Sequence, residues 1–252
     1  MSHEKDRAAH HGDPAQPLSN PTKDCSPEHI SPSAELFDNT LQYGDDEHVS
    51  ITYRDNPDAP VTAAIVAAPD TGRYLREQVP PAADVWFGVN PVAGPARQGK
   101  NGAADDVTRL AAIWCDLDYK STSPDTAAAI IADLSGHLGT QPSAIVNSGN
   151  GLHPYWPIED CPIDDTNRGQ AAAVLRRWGR LVKLVARHHN TTADSVFDLP
   201  RILRVPGTCN QKYTPAAPVT YEAAPGGPIT VAALVELLDD LGVAEHQDDN
   251  RV

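Results

Sequence analysis

Three short segments of this 252-residue chain combine residue types suited to phosphate chemistry. The first is Trp114-Cys115-Asp116-Leu117-Asp118. On an extended strand side chains alternate, so Asp116 and Asp118 project from one side and Ile113, Cys115 and Leu117 from the other. Two carboxylates that close repel each other unless a cation is shared between them. Hard oxygen donors of this kind suit Mg²⁺ or Mn²⁺, with substrate phosphates completing the coordination. The second segment is Ser148-Gly149-Asn150-Gly151-Leu152-His153. With Asn150-Gly151 as a two-residue turn, Gly149 pairs with Leu152, and Ser148 sits opposite His153 on one sheet face. Gly149 and Gly151 would leave backbone room for a bulky anion, so the hydroxyl and the imidazole together outline a phosphate pocket. The third segment runs from Asp198 to Lys212. Pro200 suits the first turn of a short helix, which places Asp198 at its cap and Asp198, Arg201 and Arg204 on one face. Pro206-Gly207 then starts a turn.

Each segment alone has an ordinary structural explanation: a solvated strand end, a hairpin that needs Asn-Gly, a capping aspartate beside an arginine. A DxD glycosyltransferase would also carry the first. A Ser–His hydrolase is disfavoured, because no GxSxG elbow is present. Adjacent His188 and His189 on a helix point about 100° apart and would not jointly hold one metal.

The elements that must position these groups follow from periodicity and turn residues. Helices are predicted over Ala34–Tyr43, Thr71–Gln78, Thr126–Leu138 and Asn167–His189, with a closing helix from Thr230 to Leu241. Strands are predicted over Val49–Tyr53, Asp84–Val89, Leu110–Asp118, Ala144–Ser148, Leu152–Ile158 and Val219–Glu222, and Asn90–Asp106 should be a loop. Strands and helices intermixed with a hairpin favour an α+β fold with a mixed or antiparallel sheet. Residues 1–33, with almost no large apolar side chain, read as a disordered tail. The catalytic domain would then span 34–242, with 243–252 a disordered end or linker.

Composition excludes some classes. Hydrophobic residues make up 40%, ordinary for a globular chain, and no apolar run approaches the roughly 20 residues of a membrane span. Cys25, Cys115, Cys161 and Cys209 never occur as CxxC, which points to a reducing, cytoplasmic setting rather than a disulfide framework. The net charge of −14 argues at first against a nucleic-acid partner. Its distribution removes that objection: residues 1–96 carry −9 and 213–252 carry −6, whereas 168–212 carry +7.

The three segments, in this order, resemble the archaeo-eukaryotic primase superfamily, and most nearly the bifunctional primase-polymerase domains of phage and plasmid replication proteins. The family pattern is a strand with two alternating aspartates, then an S-x-G-x-H-type hairpin, then D-x-x-R-x-x-R-x-P-G-T-x-N-x-K. Asp84–Pro91 also resembles a family strand that precedes the Arg97-containing loop. The resemblance covers roughly residues 35–225. It implies an RRM-like catalytic sheet packed with an N-terminal α/β unit. It further implies Asp116, Asp118 and Asp198 as ligands of two Mg²⁺ or Mn²⁺ ions. Ser148 and His153 would line the incoming triphosphate, and Arg204, Asn210 and Lys212 would lie near nucleotide or template. The zinc-module spacing of some relatives is absent, so no zinc is expected.

The expected activity is template-directed nucleotidyl transfer from NTPs or dNTPs on single-stranded or primed DNA, with a helicase domain or partner adjoining. Arg176, Arg177, Arg180 and Lys183 are expected to meet template phosphates with salt-dependent affinity. The competing classes are a catalytically silent nucleic-acid-binding adaptor and the DxD glycosyltransferase. A rolling-circle nicking enzyme fits less, since no His-hydrophobic-His pair with a placed tyrosine is found.

Overall fold

An antiparallel sheet, a mixed sheet, a two-stranded ribbon and four α-helices make up the computed structural model, which describes Cys25, Pro32, residues 34–94 and residues 102–244. The expected tail over 1–33 (Cys25, Pro32 excepted), the Arg97 loop and the end beyond Ala244 lie outside those residues. The first sheet runs β2-β1-β3-β8, built from β1 (His48–Arg54), β2 (Thr62–Ala67), β3 (Asp84–Gly88) and β8 (Ile202–Arg204). A π-type helical segment, Leu36–Leu41, and α1 (Thr71–Glu77) add buried side chains, Leu36, Phe37, Leu41 and Leu75, to the core shared with Val49, Ile51, Val85 and Phe87. The second sheet centres on β7 (Gly151–Glu159). It pairs antiparallel with β4 (Ala112–Trp114), β5 (Leu117–Asp118) and β6 (Ala144–Asn147), and parallel with β12 (Ile229–Thr230). Outside β6 lies β11 (Thr220–Ala223). A small ribbon joins β9 (Cys209–Asn210) to β10 (Ala217–Pro218). The α+β expectation holds.

The remaining helices are α2 (Pro124–Leu138), α3 (Arg168–His188) and α4 (Val231–Asp240). The start of α2 follows its sequence signals: Ser123 Oγ accepts from the Thr126 backbone N–H, Pro124 fills the first turn, and Gly139 closes the helix at φ +70°. Ser123→Ala should therefore cost about 1 kcal/mol of stability, measured as a shift in the denaturation midpoint. Thr230 caps α4 in the same way, through the Ala233 N–H.

The apolar stripe of α3, including Val174, Leu175, Trp178, Leu181, Val182 and Val185, is buried as its periodicity predicts. Trp178 meets Trp156 of β7 edge to face, ring centroids 5.6 Å apart. Its indole N–H donates to the Trp114 carbonyl at 2.7 Å, while Trp114 donates to the Val196 carbonyl at 2.9 Å. Buried indoles thus keep their one polar atom bonded, which avoids the penalty of an unpaired donor. Side chains alternate along β7, so Trp156 turns toward α3 while His153 and Tyr155 turn to the opposite face. There Tyr155 meets Phe87 of β3, centroids 6.4 Å apart, which joins the two sheets.

Several expectations need correction. The Leu110–Asp118 strand is two short strands with a break at Cys115-Asp116. The short helix over Asp198–Arg204 does not form: Asp198–Pro200 is a turn, and Ile202–Arg204 is β8, recruited by β3. β2 was not anticipated. Cys25 and Cys209 form a disulfide, Cα–Cα 6.0 Å, against the expectation of unpaired cysteines; Cys115 and Cys161 are free. Their 184-residue separation explains why local spacing carries no trace of the pairing. Among the described residues, no helix is long and apolar enough to cross a membrane.

Candidate active site

The hairpin that carries Ser148 and His153 turns one residue earlier than predicted, at Gly149-Asn150, which shifts the cross-strand pairing by two. Its register pairs Asn147 with Leu152 and Val146 with His153, and the Ser148 N–H donates to the Gly151 carbonyl at 2.9 Å. Gly149 and Asn150 are therefore the turn, with Gly149 at φ +83° and Asn150 not among the positive-φ residues, as in a type II′ hairpin. Ser148 faces Gly151 rather than His153. A two-residue change of register preserves which face each side chain occupies, so Ser148 and His153 still project together.

The glycines do not leave space for an anion. A Cβ on Gly151 would lie 2.5 Å from the Leu117 carbonyl oxygen, and one on Gly149 would lie 2.6 Å from the Ala217 Cβ. Both positions are occupied by the protein's own chain. Their glycines permit close packing of β5 and of β10 against the hairpin.

Between the two sheets opens a cavity of about 180 Å³ lined by Asp116, Asp118, Ser148, Asn150, His153, Arg204, Asn210 and Lys212, together with Trp86, Ile202 and Leu203. The predicted Asp116 and Asp118 both border it, in spite of the broken strand. Asp116 Oδ1 lies 3.3 Å from His153 Nε2, and Asp118 Oδ2 accepts from Lys212 Nζ at 2.7 Å. Burial pushes the Asp116 carboxyl up, but His153 beside it, with Lys212 and Arg201, outweighs burial and holds it below the usual carboxylate range. The Asp118 carboxylate bonded to Lys212 raises the lysine above its ordinary value. His153 Nδ1 and Asn150 Nδ2 are buried with no hydrogen-bond partner among the described residues.

Lys212 and Asn210 reach the cavity because β9 and the residues after it run beside the hairpin. Asn210 Nδ2 donates to the Ser148 carbonyl at 2.7 Å, and the Lys212 N–H donates to Asn210 Oδ1 at 2.9 Å. Arg204 arrives from β8, directly opposite Trp86 of β3, with its guanidinium carbon 4.5 Å from the indole centroid. Trp86 and Asn150 are cavity residues that the choice of site residues omitted. A solitary tryptophan alternating with Asp84 on an otherwise apolar strand was the available signal.

Asp198 is not brought to this cavity. Its carboxylate accepts from Arg201 Nε at 2.9 Å on the turn before β8. Among the described residues, no group of three or more Asp, Glu, His or Cys is arranged to hold a metal ion. The donor set that fits a hard divalent cation is the pair Asp116 and Asp118, two carboxylates sharing one polar cavity with cationic neighbours. The expected triad is not assembled.

The basic face of α3 lies across the second sheet from the cavity, since α3 packs on the Trp156 side of β7 and His153 points the other way. Arg177 donates to Asp239 and to the Val243 carbonyl, Arg180 to the Ala244 carbonyl, and Lys183 to Ser195 Oγ. A groove of about 410 Å³ runs here, lined by Arg176, Arg180, Lys183 and Arg187, together with Leu184 and Leu241 and with no acidic side chain.

No family model matches the chain, and no curated protein matches it in sequence. Solved structures do. The chain is similar to the AEP domain of the cyanophage S-2L primase-polymerase, with TM-score 0.57 and 16% identity over 84% of this chain and 98% of that one. It is also similar to the primase RepB′, with TM-score 0.50 and 14% identity over 83% of this chain and 63% of that one. At these identities the likeness is one of fold, and the chain has the α+β fold of archaeo-eukaryotic-type primase-polymerase domains.

Proposed function

We propose that the chain is a template-directed nucleotidyltransferase, a DNA primase-polymerase that extends or initiates chains from nucleoside triphosphates. The observation that carries this reading is the convergence of Asp116, Asp118, Ser148, His153, Arg204, Asn210 and Lys212, from five separate strands and their flanks, on one cavity in a fold of that kind.

Asp116 and Asp118 are the residues that would hold Mg²⁺ or Mn²⁺, which supplies charge to activate the 3′-hydroxyl and to neutralise the leaving pyrophosphate. Asp198, occupied by Arg201, stands outside that pair. Arg204, from β8, and Lys212, which follows β9 and is bonded to Asp118, bring cations into the cavity from elements other than the carboxylates' own strand, and these would meet a triphosphate. Positioned charge of this kind accelerates phosphoryl chemistry without any reorganisation at the moment of reaction. The 3′-oxygen attacks the α-phosphorus and forms the new P–O bond. The bond to the β-phosphate oxygen breaks, pyrophosphate leaves, and the hydroxyl proton passes to solvent. His153, hydrogen-bonded to Asp116 and buried, serves as a ligand and orienting group rather than as the base.

The test is incorporation of labelled nucleotide on a single-stranded DNA template, with and without primer, using ribo- and deoxynucleotides separately. Template-independent or absent incorporation under both metal ions would count against the proposal.

The basic face of α3 is assigned a separate role, a sequence-independent contact with template phosphates outside the cavity. The combined Arg180→Glu and Lys183→Glu variant should weaken binding of single-stranded DNA and flatten its salt dependence. The dissociation constant for nucleotide, measured without DNA, should stay at the wild-type value, because the second sheet separates the two sites. A change in nucleotide affinity would contradict that separation.

A further inference from the structure

Asp84 is fully buried, with 0% of its side chain exposed, and does not itself line the cavity. A buried carboxylate is costly unless each of its oxygens is bonded. Here both are. Oδ1 accepts from Arg204 Nη1 and from the Gln211 backbone N–H at 2.8 Å. Oδ2 accepts from Arg54 Nε at 3.1 Å and Nη2 at 3.0 Å. The register explains how the group assembles: Arg54 pairs with Asp84 across β1 and β3, and Trp86 pairs with Arg204 across β3 and β8, which puts all four on one sheet face.

We propose that Asp84 is a positioning residue for the nucleotide: by holding Arg204 and the Gln211 backbone at once, it sets the cationic edge of the cavity. The inference rests on the nucleotide site proposed above. Arg204 enters the cavity only as long as its guanidinium stays on the Trp86 face, 4.5 Å from the ring centroid. Arg54 also lies over that indole, at 5.5 Å, so two like charges share one aromatic side chain, with Asp84 bonded to both. Removing the carboxylate charge leaves them to repel each other in a buried setting. The second arm matters as much. Gln211 lies between Asn210, which is bonded to the Ser148 carbonyl, and Lys212, which is bonded to Asp118. One carboxylate thus ties β3 to both segments that deliver the cations of the site.

Arg54 supplies the control, since it shares the same carboxylate but does not line the cavity. The full chain would be assayed for nucleotide KM and kcat on a primed template, for equilibrium binding of dATP by calorimetry, and for its melting temperature. Asp84→Asn, nearly identical in shape, is expected to raise nucleotide KM and the dATP dissociation constant by about tenfold or more while kcat stays within about threefold. Arg204→Gln should raise KM similarly, and the double variant should be worse than Arg204→Gln by less than the product of the two single effects, because one of the two arms of Asp84 runs through Arg204 and the other through Gln211. Arg54→Met should lower the melting temperature yet leave KM near the wild-type value. If Asp84→Asn does not fold, Asp84→Asn combined with Arg54→Gln removes one charge of each sign from the cluster and relieves the repulsion, and a rise in KM is still expected from the lost charged anchor of Arg204 and Gln211. An unchanged KM in either Asp84 variant, with wild type binding and incorporating nucleotide, overturns the inference alone. So does an equal rise in KM for Arg54→Met. A wild-type chain that neither binds nor incorporates nucleotide overturns the proposed function, and this inference with it.

Discussion

A chain carrying both Asp116→Ala and Asp118→Ala is expected to incorporate nucleotide at least about 10³-fold more slowly than wild type, with its fold intact. The two side chains are about one-quarter and one-fifth exposed, so their removal opens no large apolar void. It does strand two partners: buried His153 loses the carboxylate at Nε2, and Lys212 loses its ion pair. A modest fall in melting temperature is therefore expected, and circular dichroism should show unchanged secondary structure. The separate Asp116→Asn variant distinguishes charge from hydrogen bonding. An amide can still accept a hydrogen bond from the His153 ring, so activity would survive if Asp116 only oriented the imidazole. If its role is to hold a cation, Asn should be nearly as damaging as Ala. Wild-type incorporation by the double alanine variant would sink the nucleotidyltransferase reading.

The sequence made the site more legible than the fold around it, and the reasons are local. Asp116 and Asp118 were placed together by strand alternation, which survived a break at Cys115-Asp116 because both aspartates still border one cavity. Ser148 and His153 were placed on one face by a hairpin whose predicted turn was one residue too late, an error that shifts the pairing by two and leaves facing unchanged. A one-residue shift of the pairing would have separated them. Asp198, Arg201 and Arg204 show the opposite case. Their i, i+3, i+6 spacing fits a helix, but β3 offers an open edge, and pairing with Trp86 and Phe87 draws Ile202–Arg204 into a strand. Arg204 consequently reaches the cavity, while Asp198 remains on the preceding turn with Arg201. Long-range pairing overrode local propensity. Asp84 could not be read as functional, because its partners, Arg54, Arg204 and Gln211, lie as far as 127 residues away. The basic stripe of α3 was read correctly as a helix face, but only the packing of Trp178 on Trp156 reveals that this face lies behind the sheet that borders the candidate site.

Gly151→Ala tests whether that scaffold sets the rate as well as the stability. The added Cβ would lie 2.5 Å from the Leu117 carbonyl oxygen and 2.9 Å from the Asp118 Cα, both backbone atoms that cannot rotate away. β5 pairs with β7 through Leu117–Leu152 and Asp118–Gly151, so the strain falls on this two-residue strand, one residue of which is a candidate metal ligand. Overpacking of this kind costs about 1–3 kcal/mol. The displacement of Asp118 should in addition slow incorporation by about 10²-fold, the usual consequence of shifting a reacting group by about 1 Å. Gly149→Ala is the comparison. Its Cβ would strike the Ala217 side chain, and its φ of +83° would strain any other residue, so it should cost at least about 1 kcal/mol. It does not, however, touch β5. Measured at a temperature where both variants are folded, Gly149→Ala should keep most of its rate and Gly151→Ala should not. Equal rates would mean that the close approach of β5 to the hairpin serves stability alone, and that the position of Asp118 does not limit the reaction.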